Sequence, residues 1–474
     1  MIPPLERIAV AVALGATAGM IADVGLRGLG VPALPALLLV VAAGLGLVAW
    51  LARRLPAELD GFLVRRPITS ALWLLLVLAA VGQTSLVCKD MLAPAPAPPS
   101  AAPPHCCLTA PVEAARLWRA GEPNVYRDDL YSERQLAGFR LDPFYYPPPI
   151  LVAVLGVRGV VGDDFRATRQ VWFALGALAL LLAITLLAAV LEPASRLRAI
   201  GLAPALWASL PVQLGLKMVN AQALVIALSV LAFVAFQRRR GAGGGALLAS
   251  AIATKLFPGI LLVHLAGRRR WRDIAWTLAL GAALGVVALL ILGWAPFRAF
   301  LEYQLPRLSS GEACRREFAN AVALARDLSP FAVPLKLGLL GARGMTLGVG
   351  HVVSTIYGLG VVLLALWSSR RPPATPGAAA CTWLALLSLG TLAGPFAPAD
   401  YASITVIWLL CIDRRLVRPE IAGALALLTI APYLVPRESP AWIQVAAHAP
   451  MQLIALGAPI LVLVRSGRRG GLPA

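Results

Sequence analysis

Charged residues are scarce in this sequence. Asp, Glu, Lys and Arg together make up 14% of the 474 residues, whereas a soluble globular domain carries about 25%. Hydrophobic residues make up 59% and occur in long blocks such as 171–191 and 274–293, each close to the ~20 residues that a helix needs to cross a bilayer. This composition excludes an ordinary soluble enzyme. It predicts an all-α polytopic integral membrane protein with about 11 to 14 transmembrane helices.

Acidic residues are also few. The chain has 42 Lys and Arg against 23 Asp and Glu, which gives a formal net charge of +19. In a soluble protein this excess would indicate nucleic-acid binding. Here the basic residues stand in short runs between apolar segments, as they do in the cytoplasmic loops of membrane proteins. We therefore expect membrane lipids and no nucleic acid as partners, and a multi-pass location in the cytoplasmic membrane.

Paired cysteines and clustered histidines are missing from the sequence. None of the six cysteines has Cys-x-x-Cys spacing, and the four histidines are scattered. Because zinc sites usually show such spacing, we predict no protein-built metal site and no cofactor. The adjacent residues His105, Cys106 and Cys107 cannot readily close a tetrahedral shell alone. A disulfide from Cys106 or Cys107 to Cys314, tying two outer loops together, is a hypothesis at this stage.

Polar segments divide the chain into regions. Residues 1–66 are predicted to form an N-terminal transmembrane hairpin, and residues 67–474 the main transmembrane domain. The largest polar segment, 89–146, contains six basic and seven acidic residues, for a net charge of −1. This balance contrasts with the basic remainder of the chain and predicts a large extracytoplasmic functional loop. Residues 296–330 are predicted to form a second polar loop.

The first loop has two recognisable parts. Residues 93–104 form a Pro/Ala-rich stretch that is typical of an extended tether. In residues 111–120, Ala114, Leu117 and Trp118 fall on one helical face. This spacing predicts an amphipathic helix that could lie on the membrane surface.

One apolar segment does not fit simple alternation across the membrane. Residues 241–266 are flanked by three arginines on each side, at 238–240 and 268–270, and both flanks favour the cytoplasm. Lys255 in the middle is costly at membrane depth, and Pro258 interrupts the helix. Two half-helices that meet near Lys255 would explain both features. The alternative is one straight span with one arginine triplet outside.

Five short motifs follow one another along the chain. They are G-x-P-x-x-Y at Gly121 to Tyr126, F-Y-Y-P-P from Phe144, N-A-Q from Asn220, A-x-A-T-K-x-x-P at Ala251 to Pro258, and R-R-R-W-R at Arg268 to Arg272. In this order the motifs resemble glycosyltransferase family 87, the bacterial polyprenyl-phosphate-sugar-dependent transferases of the GT-C superfamily. The resemblance implies a GT-C-type bundle in the bacterial cytoplasmic (inner) membrane, with an active site formed by the first large outer loop and neighbouring helix ends.

The resemblance also implies a reaction. Such a transferase moves one sugar, mannose or another hexose or pentose, from a polyprenyl-phosphate donor to a hydroxyl of a lipid or glycan acceptor on the outer face of the membrane. The chemistry requires a base that takes the proton of the attacking hydroxyl. It also requires a cation beside the departing phosphate and an apolar groove for the prenyl chain.

The base has several candidates, because the sequence departs from the family pattern. The resemblance puts Cys107 where the family usually carries an Asp, and Pro111 where it carries a Tyr. The carboxylates that could serve instead are Asp90 first, then Glu113, then Asp128 and Asp129. Asp142 stands directly before a proline and is interpreted as a turn residue.

Lys255 is the favoured phosphate contact, since a lysine at membrane depth is by default a functional candidate. Asn320 and the pair Asp400 and Tyr401 match further elements of the family by resemblance, although Asp400 stands where the family tends to have a His. The complete set of expected substrate contacts is Lys255, Arg140, Tyr145, Tyr146, Asn220, Gln222, Arg307, Asn320, Asp400 and Tyr401.

Two other classes of function stay open from the sequence. A transporter or flippase of lipid-linked saccharides would show internal repeats with matching broken helices in its two halves, and the sequence offers one broken-helix candidate. A catalytically inactive membrane partner that keeps the GT-C fold is permitted by the replaced Asp and His. The long outer loop with its seven carboxylates favours the transferase.

Overall fold

The chain is almost entirely helical. The computed structural model describes residues 5–36, 38–43, 67–93 and 104–468. The predicted N-terminal hairpin therefore lies in part outside the described residues, since 44–66 are not among them, and so does most of the predicted Pro/Ala tether.

The first half of the chain supplies helices of very different length. They are α1 (Leu5–Gly28), α2 (Pro67–Leu92), α3 (Thr109–Arg119), α4 (Pro149–Val161), α5 (Phe165–Val190), α6 (Pro193–Ala208), α7 (Leu210–Lys217) and α8 (Ala221–Gln237). Between α3 and α4 lie a 3-10 turn (Asp128–Leu130) and a two-stranded antiparallel hairpin, β1 (Gln135–Leu136) and β2 (Phe139–Arg140). In the hairpin Gln135 pairs with Arg140 and Leu136 with Phe139.

The second half begins with α9 (Gly241–Thr254), a 3-10 turn (Phe257–Gly259), α10 (Ile260–Gly267) and α11 (Trp271–Leu292). Short helices follow: α12 (Ala295–Ala299), a π-helical turn (Phe300–Gln304), α13 (Leu305–Ser310), a 3-10 turn (Glu312–Cys314), α14 (Arg315–Ala319), α15 (Ala321–Arg326) and α16 (Ala332–Leu339). The chain continues with α17 (Leu347–Ser369), α18 (Pro376–Leu392), α19 (Ala399–Ala402), α20 (Ile404–Ile412), α21 (Pro419–Leu428), a 3-10 turn (Ala431–Leu434) and α22 (Ala441–Arg468).

Six helices among the described residues are long and apolar enough to cross a membrane. They are α1, α2, α5, α11, α17 and α22, and the pair α6 and α7, bent by 54°, adds a seventh if it is one span. Shorter apolar helices, among them α4, α8 and α18, pack between them. This confirms an all-α polytopic membrane protein, whereas the count of 11 to 14 crossings stays a prediction, since six or seven spans are long enough among the described residues.

Two of the long helices face outward along most of their length. Only 11% of the apolar stretch of α11 and 17% of that of α17 is buried inside the protein, although both helices are strongly apolar. Exposed side chains on α11 include Leu278, Val286 and Leu290, and on α17 Ile356 and Leu363. Because such surfaces are stable only in an apolar solvent, these faces lie against lipid.

The segment between the two arginine triplets is a pair of half-helices, as the sequence predicts. Helix α9 ends at Thr254, Lys255 is extended (φ −144°, ψ 136°), and α10 begins at Ile260 after a 3-10 turn that contains Pro258. Arg239, before α9, and Arg268, after α10, line the same cavity. Since both ends of the segment lie at one face, a single straight span is excluded.

Two glycines let α9 pack closely between its neighbours. A Cβ on Gly244 would lie 2.4 Å from the ring of Phe236 in α8, and a Cβ on Gly245 would lie 2.7 Å from Trp276 Cβ in α11. Small residues allow such close helix packing inside membranes. The half-helix that leads to Lys255 is therefore held tightly on two sides.

The bundle has two chemically different ends. Helix α8 begins beside Asn220 and is followed at its other end by Arg238, so its 17 residues separate the two ends by about 26 Å. At the second end lies a cavity of about 1530 Å³. Its lining includes seven arginines: Arg239, Arg268, Arg270, Arg371, Arg414, Arg415 and Arg465.

Helix α3 corrects one expectation. The sequence predicts an amphipathic helix that could lie on the membrane surface, but α3 is packed inside the protein, with Ala114 and Ala115 fully buried. Trp118 donates a hydrogen bond from Nε1 to the carbonyl of Leu292 at the end of α11 (2.9 Å). The apolar face is thus covered by the bundle, and its polar face by the loop through Glu113, whose carboxylate pairs with arginines.

Candidate functional site

Lys255 stands at the centre of a cluster of polar and aromatic side chains. Its amino group donates hydrogen bonds to Gln222 Oε1 (3.0 Å) and to Asn220 Oδ1 (3.3 Å). The same nitrogen lies 5.4 Å from the ring centre of Tyr146 and 5.3 Å from that of Tyr401, within the range of cation–π attraction. These five residues are all among the expected substrate contacts, and the structure brings them together.

Local backbone features put each of these side chains in place. Lys255 lies in the break between α9 and α10, where its backbone is extended, so the direction of its side chain is not set by helical geometry. Asn220 caps α8, and its Oδ1 accepts from the backbone N–H of Gln222 (2.8 Å). Val219, just before it, has a positive φ of 52°. This sharp turn between α7 and α8 directs the two amides toward Lys255.

A second group of residues adjoins this cluster through Cys107. Asn220 Nδ2 donates a hydrogen bond to Cys107 Sγ (3.1 Å), and His105 Nε2 lies 3.2 Å from the same sulfur. On the other side of the ring, His105 Nδ1 lies 3.2 Å from Asp142 Oδ2. Carboxylate, imidazole and thiol therefore form one compact group, which Asn220 joins to Lys255.

The charge of His105 follows from this setting. Burial of the ring alone would lower the pKa of His105, but the neighbouring Cys107 and Asp142 outweigh burial and raise this pKa to about 11. An imidazole with such a pKa is protonated at neutral pH. Its Nε2 can then donate to the sulfur, while Nδ1 lies at ion-pair distance from the carboxylate without forming a hydrogen bond.

The loop that carries Cys107 is joined to the rest of the site by its backbone. The N–H of Cys107 donates to the carbonyl of Met218 in the turn before α8 (2.9 Å). The N–H of Arg140, in β2, donates to the carbonyl of Pro104 (3.1 Å). The two-stranded hairpin thus brings Asp142 next to His105. Asp142 is an ion-pair partner rather than only the turn residue that the sequence suggests.

Three of these residues are of types that bind metals. The ligand atoms of His105, Cys107 and Asp142 all lie within 4.8 Å of one another, and Zn²⁺ accepts imidazole, thiolate and carboxylate ligands. The shortest contacts within the trio are His105 Nε2 to Cys107 Sγ (3.2 Å) and His105 Nδ1 to Asp142 Oδ2 (3.2 Å). The sequence analysis missed this trio because Asp142 is distant along the chain. The prediction of no metal site stays a prediction.

The expected disulfide does not form. All six cysteines are free and buried in the described part of the chain. Cys107 contacts His105 and Asn220 instead of Cys314. The two polar loops are joined by another contact, because Tyr145 donates its hydroxyl hydrogen to the carbonyl of Ala313 (2.7 Å).

The four carboxylates proposed from the sequence as bases each pair with arginine. Asp90 Oδ2 accepts from Arg169 Nη2 (2.7 Å), and Asp128 from Arg307. Asp129 accepts from Arg127 (2.6 Å). Glu113, with a side chain only 3% exposed, contacts Arg116 and Arg134. Among the contacts described for residues 67–93 and 104–468, none links these four carboxylates to Lys255.

The remaining expected substrate contacts are spread around the cluster. Arg140 lies 3.5 Å from Asp142, and Arg307 stacks on the ring of Tyr303 at 4.7 Å. Asn320 caps α15 by accepting from the N–H groups of Val322 and Ala323 (3.0 Å each). The carboxylate of Asp400 accepts a hydrogen bond from the hydroxyl of Tyr433. Asn320 and Asp400 therefore have structural partners of their own.

Asp327 is a buried acid near the site that the sequence analysis did not single out as a site residue. Asp327 is fully buried, and its Oδ1 accepts from the backbone N–H groups of Ser329 (2.8 Å) and Ala397 (2.9 Å). Burial outweighs these bonds and raises the pKa of Asp327 to about 6. This contact joins the second polar loop to the turn that precedes Tyr401.

A comparison with known families identifies the fold that holds this cluster. The family model of glycosyltransferase family 87 matches residues 144–395, just over half of the chain. The chain belongs to glycosyltransferase family 87. The resemblance of the motifs is thereby confirmed, and the chain is a member of a family of glycosyltransferases. No curated protein and no solved structure matches it.

The match covers part of the cluster. Tyr146, Asn220, Gln222 and Lys255 lie within the matched residues. The loop with His105, Cys107 and Asp142 precedes the match, and Tyr401 follows it. The matched residues of the family model therefore include the cation and its amide partners, whereas the groups of the first polar loop lie before the match.

Proposed function

We propose that this member of family 87 transfers one sugar from a polyprenyl-phosphate donor to a hydroxyl of a lipid or glycan acceptor, on the outer face of a bacterial cytoplasmic membrane. The observation that carries the proposal is the position of Lys255. A cation at the break of a re-entrant helix pair, held by two amides and flanked by two tyrosine rings, is suited to a phosphosugar.

Each part of the cluster has a role in this reaction. The ammonium of Lys255 stabilises the negative charge that grows on the departing phosphate. The rings of Tyr146 and Tyr401 offer flat apolar faces to the sugar, as well as attraction to the cation. Asn220 and Gln222 fix the ammonium in one direction, so that no reorganisation is needed during the reaction.

The donor chain and the side of the membrane follow from the rest of the bundle. The exposed apolar faces of α11 and α17 supply a surface along which a prenyl chain can lie. The arginine-rich end favours the cytoplasm, so the Lys255 end faces outward. Mannose is the favoured sugar by resemblance to the family, and other hexoses or pentoses fit the same chemistry.

Release of polyprenyl phosphate tests this function. We would supply purified protein in lipid nanodiscs with a radiolabelled polyprenyl-phosphate mannose and a membrane-lipid acceptor extract. We expect turnover by the wild type and a loss of about 100-fold or more in Lys255→Met, because one preorganised donor to the developing charge is removed. The matched control is Lys89→Met, at an exposed lysine of α2, which should retain turnover.

The outcomes separate the proposal from its competitors. Equal turnover in Lys255→Met and wild type would contradict the role of the cation. Absence of turnover with mannose, pentose and other hexose donors would contradict the transferase and leave the inactive partner.

A flippase or transporter is the second candidate, because the bent pair α6 and α7 (54°) is a second broken helix in addition to the α9–α10 break. Movement of a lipid-linked saccharide across proteoliposomes without any acceptor, combined with no release of polyprenyl phosphate, would favour this function.

A further inference from the structure

Three side chains of metal-binding types lie together beside the amide partners of Lys255. The ligand atoms of His105, Cys107 and Asp142 all lie within 4.8 Å of one another. The shortest contacts join His105 Nε2 to Cys107 Sγ and His105 Nδ1 to Asp142 Oδ2, each at 3.2 Å. In a tetrahedral zinc site, bonds of about 2.0–2.3 Å hold the ligand atoms about 3.3–3.6 Å apart. The three side chains are therefore close to the spacing of zinc ligands.

The backbone holds the two chain segments of this group together. His105 pairs with Arg140 in a β-bridge. The hydroxyl of Thr109 lies 2.8 Å from the carbonyl oxygen of Cys106 and 3.2 Å from that of Arg140. These contacts fix the segment with His105 and Cys107 against the one with Asp142. A site that is ordered before it binds loses less entropy on binding.

Two of the three side chains have outer partners of the kind that orient metal ligands. Asn220 Nδ2 donates a hydrogen bond to Cys107 Sγ (3.1 Å). Arg140 Nη2 lies 3.5 Å from Asp142 Oδ1, which leaves the other carboxylate oxygen next to His105. Such outer contacts are typical of metal ligands in proteins. Among the described residues, the buried His105 Nδ1 has no hydrogen-bond partner, and coordination to an ion would satisfy this nitrogen.

We propose that His105, Cys107 and Asp142 bind one divalent transition-metal ion, for which Zn²⁺ is the best fit. Zn²⁺ accepts imidazole, thiolate and carboxylate together, whereas Mg²⁺ and Ca²⁺ prefer oxygen ligands. On binding, the ion displaces the protons of the imidazole and of the thiol. Three protein ligands leave a fourth position open. The proposal departs from the sequence-based prediction of no metal site, which was made without the contact to Asp142.

The open position gives the ion a part in the sugar transfer, and this part rests on the proposed function. Zn²⁺ lowers the pKa of a hydroxyl bound to it, and Asn220 joins the site to Lys255. The acceptor hydroxyl at the open position loses its proton to solvent, and its oxygen bonds to the anomeric carbon. The bond from that carbon to the phosphate oxygen breaks, and its electron pair leaves with the polyprenyl phosphate. By resemblance, Cys107 stands at the position of the family Asp, so a metal ligand replaces a carboxylate there.

Metal binding by the untagged protein in nanodiscs tests the site without any substrate. After treatment with a chelator, we would titrate the protein with Zn²⁺ and, for spectroscopy, with Co²⁺. We expect one Zn²⁺ per chain, and a cobalt complex with the near-ultraviolet absorption of a cobalt–thiolate bond. Cys107→Ala and Asp142→Asn should each weaken binding by about 100-fold or more, since even outer partners contribute about 10–100-fold. Cys106→Ala is the matched control, because this neighbouring cysteine is also buried but lies outside the trio, and it should bind as the wild type does.

Two results would overturn the site. One is a wild type that binds neither Zn²⁺ nor Co²⁺ stoichiometrically, and the other is equal binding by wild type and Cys107→Ala. Cys107→Asp gives a further test that keeps three ligands. It should still bind Zn²⁺ but lose the cobalt–thiolate absorption. Persistence of this absorption in Cys107→Asp would assign the metal to another cysteine.

Turnover separates the metal site from the proposed function. We expect the metal-free wild type to release polyprenyl phosphate about 100-fold or more slowly than the zinc-loaded protein, in line with the usual contribution of proton removal. Mg²⁺ should not restore the rate. Full turnover by protein from which the metal has been removed would overturn the role of the ion and leave the transferase standing. Stoichiometric zinc binding without turnover of any donor would contradict the transferase and leave the metal site standing.

Discussion

Asp327 illustrates how a single buried acid couples two loops. Its carboxylate accepts two backbone hydrogen bonds, from Ser329 and from Ala397. The ammonium of Lys336 donates to the backbone carbonyl of Asp327. The N–H groups favour the charged form, but burial favours the neutral one and raises the pKa of Asp327 to about 6. The protein thus accepts an electrostatic cost to fix the turn before Tyr401.

The raised pKa of Asp327 predicts that the stability of the folded protein depends on pH. The folded-state pKa of about 6 exceeds the usual value of about 3.9, so the folded state holds the proton more strongly. The contribution of Asp327 to stability is therefore greatest below about pH 4 and declines as the pH rises to about 6 and beyond. Relative to Asp327→Asn, the wild type should lose Tm between pH 4 and pH 7.5, measured in nanodiscs.

A control isolates this effect. Glu438→Gln changes an exposed carboxylate and should leave the pH trend of the wild type intact. A wild type and an Asp327→Asn variant whose Tm values keep a constant difference over this range would contradict the prediction.

At the same scale, the sequence predicted one half of the site and missed the other. Lys255, Tyr146, Asn220, Gln222 and Tyr401 were recognised because each belongs to a local motif whose chemistry is readable in a few residues. The group formed by His105, Cys107 and Asp142 was not recognised, because it depends on a short β-hairpin that brings residues 37 positions apart together. A local pattern cannot predict that contact.

Among the elements, the break between α9 and α10 was predicted, whereas the surroundings of α3 were not. Two arginine triplets around one apolar segment carry information about sidedness, which a straight span cannot satisfy. In contrast, the spacing of Ala114, Leu117 and Trp118 is the same for a helix on a membrane and for a helix against a protein. What covers an apolar face depends on tertiary structure, and in α3 the cover is the end of α11.

The packing of α9 predicts an effect of a single methyl group. Gly245→Ala would put a Cβ 2.7 Å from Trp276 Cβ, and such overpacking typically costs about 1–3 kcal/mol. Gly243→Ala is the matched control, because a Cβ there meets nothing within 4 Å and alanine favours a helix. Thermal unfolding in nanodiscs should show a lower Tm for Gly245→Ala alone. Equal Tm values for the two variants would contradict the close packing.

On the scale of the whole molecule, the two ends of the bundle differ in charge and in the polar side chains that they carry. One carries the cluster around Lys255 and the polar loops, and the other carries the arginine-lined cavity. The apolar pattern predicted the class of fold, because a segment that crosses lipid must satisfy its backbone hydrogen bonds internally, as a helix does. It did not predict the cavity, which forms where the ends of several distant helices meet.

This division predicts the sidedness of the protein. Ser132, in the first outer loop, and Ala374, at the arginine-rich end, are both exposed. We expect Ser132→Cys to react with a membrane-impermeant maleimide in intact cells, and Ala374→Cys to react only after permeabilisation. The unsubstituted chain, whose six cysteines are buried, gives the background. Labelling of Ala374→Cys in intact cells would reverse the topology.

The seven arginines around the cavity have a consequence for the energised cell. A bacterial membrane is negative on its inner side, and carrying one elementary charge across it costs or releases about 2.3 kcal/mol per 100 mV. With the arginine end inside, these charges already lie on the favourable side. An inverted molecule would hold the same charges against the membrane voltage. In the proposed orientation, with Lys255 facing outward, the membrane voltage would thus add to the stability of the inserted protein.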